Sequence, residues 1–301
     1  MMHRRRFLQS AGLSLGMLAI YQNKLLAEVL QQGGYKFIPL RKDVGVFTEQ
    51  GGTIAWMSNS SGIVVVDSQF PDPASHLISE LKKQSEKPIQ YLINTHHHGD
   101  HTGGNIAFKG LAEKVVGHTN CLANHKASAA AQKSETKQLF ADTVFKDQWK
   151  AKVGAEHIQA QYFGAGHTNG DIIVHFQNAN IAHMGDLMFN KRFPFIDRTA
   201  GANIQSWIEV LEKAIKKYDS DTLFVFGHAA DPDQITGSKK ELKAMQNYLE
   251  KLLLFVKAEI KAGKSKEDIL KAESVPGAED FKGQGIQRSL TAAYEELTML
   301  K

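Results

Sequence analysis

The feature that most constrains this chain is a cluster of imidazole and carboxylate side chains placed directly after an apolar run. The run reads as a buried strand, and residues 94–104 continue it as Asn-Thr-His-His-His-Gly-Asp-His-Thr-Gly-Gly. His96 and His98 are two positions apart, so an extended chain points both side chains the same way. A glycine bend then turns Asp100 and His101 toward a second position. Zinc prefers these ligand types, and the stretch therefore predicts a metal site where the strand ends.

The His-x-His-x-Asp-His pattern of this stretch resembles the signature of the metallo-β-lactamase superfamily. The rest of the chain supplies the remaining positions of that motif, each directly after a glycine at the end of an apolar run. These positions are His167, Asp186 and His228. The resemblance covers about residues 40–235 and implies an α/β fold, the four-layer αββα sandwich, with the metal site along one edge.

The resemblance implies seven metal ligands and two zinc ions, with iron or manganese as alternative metals. His96, His98 and His167 would hold the first ion, Asp100, His101 and His228 the second, and Asp186 would bridge them. Asp67 follows a fully apolar run, where an acid either caps the next helix or supports a metal-bound histidine from behind, and the resemblance favours the second role. The remaining histidines match no motif position and are expected to be solvated or packed, with His183, close to Asp186, the nearest to an exception.

A dinuclear zinc site lowers the pKa of a shared water toward roughly 7 and provides a bridging hydroxide. The resemblance therefore implies a zinc-dependent hydrolase of an ester, thioester, lactone or β-lactam. Asp100 would orient the nucleophile and pass its proton to the leaving group. Two other activities of the fold stay open: a phosphodiesterase, and an iron(II) sulfur dioxygenase that needs only His96, His167 and Asp186. Metals give the reaction type and leave the substrate undetermined.

Substrate choice would come from loops beside the metal edge. Residues 190–198 combine cations with aromatic side chains, so Lys191 and Arg192 are candidates for binding a substrate carboxylate, although a solvated charged loop has the same composition. A large branch of zinc β-lactamases has cysteine where this chain has Asp186, and lysine where it has Phe189. We therefore expect β-lactam hydrolysis to be weak or incidental.

The first 27 residues read as an export signal. Arg4 and Arg5 precede Phe7, Leu8 and a short apolar run, which resembles a twin-arginine signal and predicts a periplasmic protein. The run is short for a membrane anchor, so no stable membrane insertion of the mature protein is expected. Without this segment, 32 basic residues balance 32 acidic ones. That balance favours a small-molecule substrate over a nucleic acid, and it leaves the oligomeric state open.

The rest of the chain divides into a metallo-β-lactamase-fold domain, residues 28–238, and a helical extension packed on it, residues 239–301. Helical spacing of apolar residues predicts helices over 73–86, 202–218 and 239–262, and an alanine-rich run predicts another over 119–131. The extension is expected to be wholly helical. Residues 132–154 are too apolar for a linker; they either cover the core, which we expect for most of them, or line a substrate groove. Cys121, the only cysteine, is expected to be buried and structural.

Overall fold

The computed structural model describes residues 34–299, so the predicted export segment, residues 1–27, lies outside the described residues. Runs of β-branched and aromatic residues form its strands. These strands are β1 Lys36–Arg41, β2 Val44–Thr48, β3 Ile54–Asn59, β4 Gly62–Val66, β5 Ile89–Ile93, β6 Ala112–His118, β7 Thr143–Phe145, β8 Gln148–Val153, β9 Glu156–Tyr162, β10 Ile172–Phe176, β11 Ile181–His183, β12 Phe189–Asn190, β13 Leu223–Val225, β14 His228–Ala229 and β15 Thr236–Gly237.

The strands make two large sheets and one short pair. The first sheet has seven strands in chain order, β1 to β7, and the second has six in the order β15-β13-β11-β10-β9-β8. Antiparallel hairpins build the start of the first sheet, whereas β4, β5, β6 and β7 run parallel to one another. The carboxyl ends of these parallel strands therefore lie at one edge, where β5 delivers the predicted metal loop.

Most of the helices cover the outer surfaces of the sheets, and one short helix lies in the predicted metal loop. The helices are α1 Pro71–Gln84, α2 Gly99–Thr102, α3 Thr119–Ala131, α4 Ile204–Lys217, α5 Lys239–Lys261, α6 Lys266–Ile269 and α7 Ile286–Met299. Within residues 34–299, no helix combines the length and the apolar character needed to cross a membrane.

Strand β4 shows how the layers are assembled. Its residues alternate in direction, so Val64 and Val66 face the second sheet, whereas Ile63 and Val65 face α1. Because both faces are buried, the strand is apolar throughout. A third apolar layer joins the second sheet to α4, α5 and α7, which pack in one continuous core. The predicted αββα sandwich is thus confirmed, while the predicted domain boundaries stay a prediction.

The extension is not wholly helical, and that prediction is wrong in part. Residues 270–285 form turns and irregular backbone between α6 and α7. Gly277, Gly283 and Gly285 lie there at positive φ, a conformation that ends helices and favours glycine. After the metal loop, residues 103–108 form a 3-10 helix.

Residues 132–154 contribute β7 and β8 to the edges of the two sheets. Phe145 is buried against the core as expected, whereas Val144 is exposed. Cys121 is buried with a free thiol, and burial raises the pKa of that thiol, which fits the expected structural role.

Candidate metal centre

Strand ends from both sheets bring the predicted ligands together at one edge. The chain leaves β5 at Ile93 and places His96 and His98 just before the short helix α2, which carries Asp100 and His101. The later positions follow β9 and β11 of the second sheet and lie at β14 of the short strand pair. These are His167, Asp186 and His228.

The first group of donors consists of His96, His98, His167 and Asp186, with one donor atom of each within 4.8 Å of the others. His167 Nε2 lies 2.8 Å from His98 Nδ1. Asp186 Oδ2 lies 3.5 Å from His167 Nε2 and 3.9 Å from His96 Nε2. Three imidazoles and one carboxylate therefore face a common point.

The second group consists of Asp100, His101 and His228, and it adjoins the same aspartate. His228 Nε2 lies 3.2 Å from Asp100 Oδ2 and 3.4 Å from Asp186 Oδ2. Asp186 Oδ1 lies 3.0 Å from His101 Nε2. Within residues 34–299, Asp186 is thus the one carboxylate that touches both groups, as a bridging ligand must.

Buried atoms without hydrogen bonds show that this arrangement fits metal ions. His96 Nε2, His101 Nε2 and Asp186 Oδ1 are buried and have no hydrogen-bond partner within the described residues. His101 and Asp186 approach each other closely, but not in the geometry of a hydrogen bond. Unpaired buried polar atoms are costly, and a cation between them would remove the cost. The assignment of all seven side chains as metal ligands stays a prediction that this geometry accommodates.

Asp67 lies behind His101, where the sequence predicted a supporting carboxylate. Its Oδ2 is 2.8 Å from His101 Nδ1, and its two oxygens also accept hydrogen bonds from the backbone N–H and the hydroxyl of Thr95. The contact occupies the outer ring nitrogen of His101 and leaves Nε2 facing Asp186. Asp67 has no exposed surface, so this network is shielded from water.

Two further supporting groups were missed in the sequence. Asp197 Oδ2 is 2.9 Å from His98 Nε2, and the carbonyl oxygen of Phe195 is 2.6 Å from His167 Nδ1. Asp197 lies in the segment 190–198, which the sequence offered only as a substrate loop. It is 99 residues from His98, and no local pattern reveals such a partner.

His183 and His97 have structural positions. His183 Nε2 donates to the carbonyl of Thr53, and its Nδ1 accepts the N–H of Gly185, so it fixes the turn that precedes Asp186. His97 is buried beside His98, and burial, reinforced by the neighbouring imidazoles, lowers its pKa to about 3. Both agree with the expectation of packed histidines.

The neighbouring charges and burial shift the pKa values of several groups in the centre. Burial by itself would lower the pKa of His228, but the carboxylates of Asp186 and Asp100 outweigh it and raise that pKa to about 9. Burial would raise the pKa of Asp100, yet His101 and His228 lower it to about 2. Desolvation lowers the pKa of His167 to about 4, which keeps this imidazole neutral and able to coordinate.

Two cavities open beside the centre. One, of about 300 Å³, is lined by His228, Gly227, Arg192 and Lys36 among others. The other, of about 360 Å³, lies on the side of His98 and is lined by His97, Asp197, Phe195 and Thr199 among others. Of the two predicted substrate contacts, Arg192 lines the first cavity and Lys191 lines neither.

Comparison with known proteins gives the family. The sequence profile described as Metallo-beta-lactamase superfamily matches residues 42–228, which is most of the sandwich and includes every predicted ligand. The chain belongs to the metallo-β-lactamase superfamily. As a member of this superfamily it is a metallo-hydrolase, with donor clusters suited to metal ions.

Individual relatives of this superfamily member are distant. It is 27% identical over 216 residues to the Metallo-beta-lactamase type 2 of Bacillus cereus, covering 68% of this chain and 80% of the relative. The metallo-beta-lactamase from Pontibacter korlensis superposes with a TM-score of 0.61 at 20% identity, over 72% of this chain and 99% of the other. The sec-alkylsulfatase Pisa1 from Pseudomonas sp. gives a TM-score of 0.66 at 14% identity, over 87% of this chain and 50% of the other. The two structural likenesses show a shared fold.

Proposed function

We propose that this protein is a zinc-dependent hydrolase that uses two metal ions to cleave a carbonyl ester, thioester, lactone or β-lactam bond. The supporting observation is the set of three buried, unpaired donor atoms, on His96, His101 and Asp186, at the centre of seven convergent side chains. Two bound zinc ions would supply hydroxide at neutral pH and polarise the scissile carbonyl. The name of the Bacillus cereus relative adds β-lactams to the substrates that require testing.

Asp100 is the residue that we propose as the general base and acid of the reaction. It is the most exposed of the carboxylates in the centre, with 31% of its side chain accessible, whereas Asp186 is buried. The lowered pKa of Asp100 keeps it ionised at neutral pH, so it can accept a hydrogen bond from the attacking water. From the same position it can pass a proton to the leaving group.

Arg192 is the residue that we propose to bind an anionic group of the substrate. It is exposed and lines the cavity beside His228, and it forms no ion pair with any residue in the range 34–299. Lys36, in the same cavity, is already paired with Asp233. A guanidinium that is free to form two hydrogen bonds is well suited to a carboxylate.

The proposal is tested by metal analysis and a substrate panel on the purified full chain. We expect two zinc ions per chain and turnover of β-lactams, lactones, thioesters or activated esters. Turnover of phosphoesters alone would favour the phosphodiesterase.

Asp100→Ala should lower the rate of the best substrate at least a hundredfold, because general acid–base groups contribute about 10²–10⁴-fold. Glu113→Ala, which changes an exposed carboxylate on β6, is the control. Unchanged hydrolysis by Asp100→Ala would contradict the mechanism, and one iron per chain would favour the dioxygenase.

We also propose that residues 1–27 direct twin-arginine export to the periplasm, supported by Arg4 and Arg5 before Phe7 and Leu8. Cell fractionation should find the wild-type protein in the periplasm and the double variant Arg4→Lys, Arg5→Lys in the cytoplasm. Equal periplasmic amounts of both would argue against this route.

A further inference from the structure

The last helix of the chain is fastened to the loop that supports the metal centre. Residues 191–204, here called the support loop, run from the end of β12 to the start of α4 and include Asp197 and the carbonyl of Phe195. Helix α7 is hydrogen-bonded to this loop at two points. Near its start, the Ser289 hydroxyl donates to the carbonyl of Pro194 over 2.8 Å, and one residue near its end, Glu296, makes the second attachment.

Glu296 is a buried carboxylate with three donors directed at it. Only 2% of the residue is exposed. Its Oε2 accepts from Arg198 Nη1 at 2.9 Å and from the backbone N–H of Ile204 at 2.8 Å, and its Oε1 accepts from the N–H of Gln205 at 3.0 Å. The same Arg198 nitrogen donates to the carbonyl of Ala202. One side chain thus joins α7, the support loop and the first turn of α4.

This attachment is more than the capping of a helix. The first turn of α4 has its own cap, because the side chain of Asn203 accepts from the N–H of Ser206 at 2.7 Å. Glu296 reaches the two preceding N–H groups from a position more than 90 residues away in the chain. A negative charge at a helix N-terminus is favourable, and here the same charge also pairs with Arg198.

The two attachments lie on either side of the groups that hold the predicted ligands. Between Pro194 and Arg198, the Phe195 carbonyl accepts from His167 and the Asp197 carboxylate pairs with His98. Asp197 and Arg198 are adjacent in sequence. A shift of the Arg198 backbone would therefore move the carboxylate that holds the His98 ring.

We propose that Glu296 is a positioning residue for the metal centre, which it acts on through Arg198 and Asp197 to fix the orientation of His98. The inference rests on the proposed metal site and deepens it. It gives the C-terminal extension a defined role, namely setting how tightly the group of His96, His98 and His167 holds its cation.

The test compares Glu296→Gln with Glu156→Gln in the full chain. Glu156 is the matched control because it is also a buried carboxylate, 5% exposed, that accepts hydrogen bonds from two backbone N–H groups, those of Asn178 and Ala179. It lies at the end of β9 that is opposite the His167 loop. Zinc affinity is measured by competition with a chelator, the ligand field by the visible spectrum of the Co²⁺-substituted protein, and stability by thermal unfolding of the apo-protein. Asp197→Asn provides the reference for direct loss of the His98 partner.

We expect both glutamate variants to unfold at lower temperature, whereas only Glu296→Gln weakens zinc binding, by about tenfold or more, as supporting groups commonly do. Its Co²⁺ spectrum should change in the same direction as that of Asp197→Asn. Zinc affinity within twofold of wild type, or an equal loss in Glu156→Gln, would overturn the proposal. Arg198→Lys, at a partly exposed position, is measured in parallel and decides the matter if Glu296→Gln does not fold. A wild-type chain that binds no metal would instead refute the proposed function.

Discussion

At the scale of single residues, the centre depends on which nitrogen of each imidazole is held from outside. Asp67 occupies Nδ1 of His101, whereas Asp197 occupies Nε2 of His98. The Phe195 carbonyl accepts from Nδ1 of His167. The ring nitrogen left over in each case faces the cluster. These outer contacts fix ring orientation and raise the basicity of the imidazole as a ligand.

Asp67→Ala should weaken zinc binding by about 10–100-fold, because His101 loses the carboxylate that orients it and Thr95 loses an acceptor. The measurement is a chelator competition on the purified protein. Asp142→Ala is the control, since Asp142 also accepts a strand N–H, that of Val115, but has no contact with the centre. Equal affinities for wild type and Asp67→Ala would show that Asp67 only stabilises the fold.

The sequence predicted the residues that carry a local signal. His96, His98, Asp100 and His101 are adjacent in the chain, and Asp67 closes an apolar strand, so pattern and family resemblance suffice for them. Asp197 and Glu296 have no such signal. Their contacts, with His98 and Arg198, join residues 99 and 98 positions apart and exist only after the layers have packed.

At the scale of elements, the sequence predicted the long helices better than it predicted the turns between elements. Apolar periodicity predicted α1, α4 and α5 to within a few residues, because each of these helices has one continuous buried face. The alanine-rich run predicted α3 over its observed range. These patterns could not predict the turns of residues 270–285, whose conformation depends on packing against other elements. The sequence pattern likewise does not show which glycines at strand ends are required, because that depends on contacts with residues far along the chain.

Gly227→Ala should damage the site, whereas Gly99→Ala should be tolerated, although Gly99 lies within the histidine motif. A Cβ at Gly227 would lie 2.1 Å from Asp186 Oδ1, so the predicted bridging carboxylate would have to move. A Cβ at Gly99 meets nothing within 4 Å. We expect Gly227→Ala to cost about 1–3 kcal/mol of stability together with metal binding. Denaturant unfolding and metal titration of both variants check this, and a tolerated Gly227→Ala would mean that the crowding is relieved by small shifts.

At the scale of the whole molecule, we expect metal binding and folding to be linked through protons. The pKa of His228 is raised to about 9, so this imidazole is charged at pH 7 in the metal-free protein. Because that pKa lies above the unfolded value of 6.5, the contribution to stability is complete below pH 6.5 and is lost as the pH rises through 9.

Two opposite pH dependences should therefore appear between pH 7 and 9. The apo-protein should unfold at progressively lower temperature, because His228 loses its charge. Zinc affinity should rise by about tenfold per pH unit for each proton displaced. Calorimetric titration in buffers of different ionisation enthalpy measures the protons released. No proton release at pH 7 would show that His228 is already neutral or stays outside the site.

The donors are divided between the two halves of the sandwich: four come from the loop after β5, and three come from the loops and strand ends of the second half. Neither half alone can offer a cation more than part of its coordination shell. If these donors hold metal as predicted, we expect capture of the ion only after the sheets have closed on each other. The metal pool of the compartment in which the chain completes its folding would then decide which element this protein carries.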